Sequence, residues 1–284
     1  MLRRQGLKVG QFEVFLLSDG RFRLDGGAMF GVVPKTLWCR HEDVDDKNRV
    51  LLDLGCLLIK TPRGKTVLVD TGLSSKFDKD PKFHKIYDVE RRRALGDELK
   101  DHGLAPSDVD LVVNTHLHFD HAGGDTEYDE SGRPVPAFPK ARYVVQKREW
   151  EDANAPHERN AASYFDMNYA VLGERKALEL IDGDAELEPG LKAVRTGGHC
   201  AGHQGVLIES EGQAAFYLGD TVPTRAHVPL PYVMAYDLYP LDTLDFKRRL
   251  YEKALKGDWL LLFDHDRSLR HAKLALADGR YRAV

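Results

Sequence analysis

Apolar residues fall along this chain in short runs that stop on turn-forming residues, a rhythm of strands broken by a few helical stretches. Residues 11–17 concentrate aromatic and branched side chains and end at Ser18-Asp19-Gly20, which predicts a strand and a turn, with a short second strand at 21–24. Residues 49–61 are almost continuously apolar, and 65–69 repeat the pattern after Pro62-Arg63-Gly64, as expected of two paired strands in a buried sheet. Between these, residues 26–34 set Met29 and Phe30 among glycines without a helical or strand period. That predicts a loop, either packed on the core or facing a pocket. The polar stretch 73–88 reads as a surface loop. Leu95 and Leu99, four apart and followed by Gly103, predict a helix over 89–102, and 109–113 a strand.

Further on, the three prolines of 132–140 predict a loop, 142–146 a strand and 147–153 a helical segment. The polar region 154–190, with helix-favouring residues at 173–181, reads as an insertion covering one edge of a site. Strands at 191–196, 204–209 and 214–218, a helix at 243–255 and an apolar run at 259–263 complete the pattern. Alternating strands and helices predict an α/β sandwich, taken as a single domain over 1–284.

Several of these runs end on metal-competent side chains. The strand at 109–113 opens into Thr115-His116-Leu117-His118-Phe119-Asp120-His121, three imidazoles and a carboxylate within six residues. The strand at 191–196 opens into a glycine-rich loop with His199 and His203, 214–218 ends at Asp220, and 259–263 ends at His265. Laid along one edge of a sheet, these supply about seven ligands, enough for two metals. His116, His118 and His199 would serve one; Asp120, His121 and His265 the other; Asp220 would lie between them. In extended backbone 116, 118 and 120 share a direction while His121 turns away, so one loop can feed two adjacent ions. Asp70, at the exit of 65–69, either braces its turn or accepts a hydrogen bond from the far nitrogen of a ligand imidazole.

Composition narrows the field. The 284 residues carry a net charge of −4, so no basic field exists to hold a polyanion, and nucleic acid is not expected as a partner. Three widely spaced cysteines argue against a disulfide framework, and Cys200 reads as a small buried residue in preference to a reactive thiol. The cationic N-terminus lacks the apolar stretch of a secretory leader, and no window is apolar enough to span a membrane, which points to the cytoplasm.

The pattern His116-x-His118-x-Asp120-His121, followed by His199, Asp220 and His265, resembles that of the metallo-β-lactamase superfamily over about residues 50–266, and Asp70-Thr71-Gly72 matches its early motif. The wording His-Leu-His-Phe-Asp-His-Ala-Gly-Gly, with Gly-His-Cys-Ala-Gly-His-Gln later, is similar to the N-acyl-homoserine lactonase and organophosphate-hydrolase branch. The resemblance implies a four-layer αβ/βα sandwich with a dinuclear site at one edge. It also implies that His199 is the ligand of its pair and that His203 braces the loop. Two divalent ions, zinc first with manganese, iron or cobalt as alternatives, would generate hydroxide at neutral pH and polarise a carbonyl or phosphoryl oxygen, with Asp120 orienting the nucleophile or relaying its proton. The expected activity is hydrolysis of a small lactone or aryl ester, or of a phosphotriester. The alternative is a non-haem iron oxidoreductase of the sulfur dioxygenase type on the same fold. At one position the chain departs from the lactonase pattern: the Tyr commonly found three residues after the bridging Asp is Pro223 here, which leaves Tyr232 and Tyr236 as candidate donors. Met29, Phe30 and Phe119 are the other residues expected at the pocket, and a homodimer is compatible with the sequence.

Overall fold

The computed structural model describes residues 6–40 and 42–284, so the reading of the extreme N-terminus falls partly outside the described residues. Two sheets carry the fold. One has seven strands in the order Leu7–Val9, Phe12–Asp25, Arg49–Lys60, Thr66–Val69, Leu111–Val113, Arg142–Gln146 and Leu178–Ile181, antiparallel at first and parallel from Thr66–Val69 onward. The other has six, in the order Ala185–Glu188, Leu191–Arg195, Gln204–Ser210, Gln213–Tyr217, Leu260–Leu262 and His271–Ala272. Val14, Ile59, Val67, Val113 and Val144 of the first interdigitate with Leu191, Val206, Ile208 and Tyr217 of the second in one buried cluster. The opposite face of the first sheet packs on the helices Leu95–Asp101 and Lys147–Asn154, and that of the second on Pro240–Gly257. The layers therefore run helix, sheet, sheet, helix, the order that the resemblance implies.

Burial of every residue of Arg49–Lys60 between its two ends explains its nearly unbroken apolar character. The expected turn at Ser18-Asp19-Gly20 is instead a bulge in one long strand, with a register shift between Ser18 and Arg21. Asp19 leaves the ladder there because its carboxylate has other donors, the amides of Leu73, Ser74 and Leu95, and it pairs with Arg91.

Five further expectations differ. The polar stretch 73–88 contains the helix Pro81–Tyr87, started by the Asp80 side chain accepting from Lys82 and Phe83 amides with Pro81 in the first turn. The helix expected over 89–102 begins only at Leu95, because Glu90 is bridged to Arg21 as extended chain. Within the proline-rich loop, Pro134–Pro136 pairs with Thr126–Tyr128 in a small separate ribbon, an edge position where a missing N–H is tolerated. In 173–181 the helix ends at Glu174, Lys176 takes a positive φ of 55°, and Leu178–Ile181 becomes an outer strand of the large sheet. Residues 26–34, expected as loop, begin with the short helix Gly26–Phe30.

The two sheets meet closely where the strand ends converge. A Cβ at Gly55 would lie 2.0 Å from the carbonyl oxygen of Asp264, so only glycine lets Arg49–Lys60 approach the segment that carries His265. Gly55→Ala is expected to cost about 1–3 kcal/mol and to lower metal retention together with the unfolding temperature, measured by calorimetry and by metal analysis after dialysis.

Candidate metal centre

Every segment of the site leaves a sheet at the same edge. Residues 114–118 follow Leu111–Val113 and lead into the short helix Phe119–Ala122, and the turn is held at each step. Asn114 N–H donates to the Val144 carbonyl, Thr115 N–H to Asp70 Oδ1 at 2.7 Å, and Leu117 N–H to Glu149 Oε1 at 2.9 Å. The glycines after His121 serve a close approach: a Cβ on Gly123 would lie 2.3 Å from the Leu73 carbonyl oxygen. From the second sheet, Gln204 N–H donates to the Thr115 carbonyl and its side-chain amide to that of Asn114, which docks the His199 loop on the His116 loop.

The imidazole and carboxylate donors form two buried groups that share Asp220. His116, His118, His199 and Asp220 make the first, and His121, Asp220, Asp264 and His265 the second, each with its ligand atoms within 4.8 Å of one another. In the first, His118 Nδ1 is 3.0 Å from His116 Nε2 and 3.1 Å from His199 Nε2, which is 3.2 Å from Asp220 Oδ2. In the second, the other carboxylate oxygen, Oδ1, is 3.1 Å from His265 Nε2 and 3.5 Å from His121 Nε2. Asp120 Oδ2 lies 3.6 Å from His265 Nε2 and 3.7 Å from His121 Nε2.

Outside these groups the rings are anchored. Nδ1 of His116 meets Thr115 Oγ1 at 3.0 Å, that of His121 meets Asp70 at 3.0 Å, that of His199 meets Asp237 at 3.0 Å, and that of His265 meets the Asp53 carbonyl at 2.7 Å. A proton held on each Nδ1 leaves Nε2 with its lone pair directed inward. His118 is reversed, presenting Nδ1. Nε2 of His121 and His265, Oδ1 of Asp220 and Oδ2 of Asp264 are buried without a hydrogen-bond partner among the described residues. Ligands about 2.0–2.1 Å from a tetrahedral ion stand about 3.3 Å apart, and the spacings just given fall around that value. Unpaired nitrogens and carboxylate oxygens packed so closely are costly alone and fit divalent cations well.

The electrostatics divide the histidines. Burial, reinforced by neighbouring imidazoles, pushes His116 and His118 well below the usual imidazole range, which keeps them neutral and able to ligate. At His121 burial acts the same way but is outweighed by Asp120, Asp220 and Asp70, and at His265, raised to about 10, by Asp264 and Asp220. Against its own burial, Asp220 is held well below the carboxylate range by His199, His121 and His265.

His203 lies outside both groups. Its Nε2 accepts from the Asp220 amide at 3.0 Å and its Nδ1 meets Thr196 Oγ1, so it positions the backbone of Asp220. Asp264, next to His265 after the strand Leu260–Leu262, belongs to the second group. Glu149, a lone glutamate in a helix, carries no spacing signal in the sequence. It is fully buried and accepts from Leu117 N–H, from Tyr164 O–H at 2.9 Å and from the Cys200 thiol at 2.9 Å, tying the His118 and His199 loops to the 157–164 segment. Cys200 is buried, and its thiol is spent on this bond.

Above the donors opens a cavity of about 340 Å³. Met29, Phe119 and Tyr236 line it together with Tyr87, Met234 and the 159–163 segment. Phe30 and Tyr232, expected there, pack behind it instead. Phe30 stacks between Trp38 and His227 with centroids at 4.8 and 4.5 Å, and the Tyr232 ring meets Phe30 edge-on. The carbonyl of Tyr232, with those of His227, Pro229 and Leu230, accepts from the buried Lys247 ammonium, which pins this wall to the helix Pro240–Gly257. Pro223 offers its carbonyl to the His265 amide at 3.0 Å.

Two sheets that gather imidazoles and carboxylates around a shared aspartate, at the floor of an open cavity, define a metal-dependent hydrolase. The chain belongs to the metallo-beta-lactamase superfamily, whose model matches residues 56–265. It is similar to a probable metal-dependent hydrolase from Staphylococcus aureus of known crystal structure, at 33% identity and a TM-score of 0.87 over 94% of each chain. An N-acyl homoserine lactonase of Bacillus cereus is 28% identical over 234 residues, 77% of this chain and 83% of that protein. The structure of AidC, a dizinc quorum-quenching lactonase in complex with its N-hexanoyl-L-homoserine product, shares the fold with a TM-score of 0.78 at 18% identity, over 99% of this chain and 96% of that one.

Glu149→Leu strands the Leu117 and Tyr164 donors. It is expected to cost about 2–5 kcal/mol and to weaken metal retention by roughly 10- to 100-fold, read by thermal unfolding and by competition with a chromogenic chelator. Glu149→Gln, which keeps an acceptor, should lose less on both measures.

Proposed function

We propose that the protein is a dinuclear metal-dependent hydrolase that opens a small lactone or cleaves a related aryl ester, with zinc as the natural pair of ions. The observation that carries this reading is Asp220, whose two carboxylate oxygens face different histidine groups. The dizinc lactonase of the same fold and the lactonase relatives support the choice of metal and of substrate class. When bound, the ions would supply an activated water and polarise the oxygen of the scissile carbonyl.

The chain's own residues do the rest. His116, His118 and His199 would hold one ion and Asp120, His121 and His265 the other, with Asp220 common to both and Asp264 alongside the second. Asp120 lines the cavity, where its carboxylate takes the proton released by the attacking water and passes it to the departing alkoxide. The Tyr87 and Tyr236 side chains line the same cavity and stand as donors to the carbonyl oxygen, the place left open by Pro223. Leu24, Met29, Phe119 and Met234 give the cavity an apolar wall suited to an acyl or alkyl chain.

Metal analysis and a panel of lactone, aryl-ester and phosphotriester substrates test the reading. Two ions per chain and preferential lactone turnover are expected. Less than one ion per chain and no turnover after metal loading would sink it, and oxygen uptake after anaerobic iron loading would favour the oxidoreductase instead. Asp220→Ala should lower occupancy at both positions and reduce kcat/KM by more than about 100-fold; retention of one full ion would remove Asp220 from its bridging place. Tyr87→Phe and Tyr236→Phe, assayed separately, should identify the carbonyl donor as the variant that lowers kcat by about tenfold or more.

A further inference from the structure

Two stretches of chain face each other across the mouth of the metal-bearing cavity. One is the 157–164 segment, fixed at its end by Tyr164, whose ring lies 4.8 Å from that of His118 and whose hydroxyl donates to Glu149. The other is 234–236, held to the Gly26–Phe30 helix by a hydrogen bond from the Ala235 amide to the Ala28 carbonyl. Arg159 spans the gap. Its backbone amide donates to His157 Nδ1 at 3.2 Å, and Nη2 of its guanidinium donates to the Ala235 carbonyl at 2.7 Å. That bond holds the planar group at the mouth, exposed to solvent, with its other N–H groups free. Among the described residues its side chain makes no second hydrogen bond and no ion pair with a carboxylate.

No other lysine or arginine is found among the described residues lining the cavity. The carboxylates that line it, Asp120 and Asp220, are turned toward the imidazoles of the donor set, so bound ions take up their charge and neither is left to neutralise the guanidinium. The apolar side chains of Leu24, Met29, Phe119 and Met234 complete the lining. Metal donors on the floor, hydrocarbon on the walls and one unneutralised cation at the rim complement a molecule with an ester at one end and a negative charge at the other. A neutral alkyl chain gains nothing from the guanidinium. An oxyanion takes two of its N–H groups at once, the arrangement in which arginine binds carboxylate and phosphate most strongly.

We propose that Arg159 determines specificity for a substrate whose chain carries a carboxylate or phosphate group at the end remote from the scissile carbonyl. This inference rests on the lactone or ester hydrolase reading and narrows it to acidic substrates.

Three γ-lactones with side chains of one length, ending in a methyl, a carboxylate or a phosphate group, are assayed with the zinc-loaded protein and with its Arg159→Gln and Arg159→Lys variants. Glutamine keeps a donor for the Ala235 carbonyl and removes the charge; lysine keeps the charge and removes the fork. The wild type should open a charged lactone in preference to the methyl one, the larger ratio naming the oxyanion. That ratio of kcat/KM values should fall about fivefold or more in Arg159→Gln, mainly through KM. It should be partly kept in Arg159→Lys and should shrink as salt is raised. An unchanged ratio in Arg159→Gln, whether or not turnover of all three lactones falls together, makes the arginine a latch between two walls and overturns the inference. Calorimetric titration with the three ring-opened acids reads the same preference without turnover. If no lactone is opened but the wild type binds an acid with a remote anion more tightly than the methyl-ended one, and Arg159→Gln does not, the hydrolase reading fails and the anion subsite stands. Equal binding of the three acids overturns the subsite even where the lactones are opened.

Discussion

The site depends on forcing five imidazoles and a carboxylate pair to face one another at about the spacing of metal ligands inside a buried edge of the protein. Left to themselves such groups repel, lose their hydration and turn away. Here turning away is blocked, because the outer nitrogens of His116, His121, His199 and His265 are each tied to a partner that the sheets or a helix hold in place. Asp70, Asp237 and the Asp53 carbonyl come from three different parts of the chain, so the donors are aligned only when both sheets are assembled. Folding and readiness to bind cations are the same event in this molecule.

Around that centre the structure separates two tasks. Glu149 and Gln204 bind the His116–His118 and His199 loops to each other, and His203 holds the amide of Asp220. Lys247 draws four loop carbonyls toward the helix Pro240–Gly257 and stiffens the opposite wall of the cavity. Charged groups buried this deeply are expensive, yet each has several partners, and the expense secures geometry at the reacting positions.

Much of this could be read in the chain before any coordinates. The strand ends bearing His or Asp were legible because short apolar runs stopping on such residues leave a local signature, but the extended-backbone alternation expected within 116–121 does not hold, since residues 119–122 turn into a helix and Asp120 lies with His121 and His265. The large sheet was legible as far as Arg142–Gln146 for the same reason. Residues without a periodic neighbour were hidden: Asp264 sits beside a histidine that drew the eye, while Glu149, Asp237, Tyr87 and Asn160 reach the site only through tertiary contacts spanning tens of residues. The helix Pro81–Tyr87 was obscured by its charged surface, although Asp80-Pro81 marks its start. The edge strand Leu178–Ile181 was obscured because its residues favour helix in isolation and owe their pairing to Arg142–Gln146.

The wall at 157–164 differs from the others in how it is attached. Its anchor to the donors is Tyr164, and across the mouth Arg159 reaches the Ala235 carbonyl through one exposed hydrogen bond of 2.7 Å. The remaining side chains of this wall that face the cavity, among them Asn160, Ala162 and Ser163, brace none of the donors. Substitutions there can change which molecule is admitted without unseating the ions, so the chain keeps its selectivity in a replaceable panel and its chemistry in a welded frame.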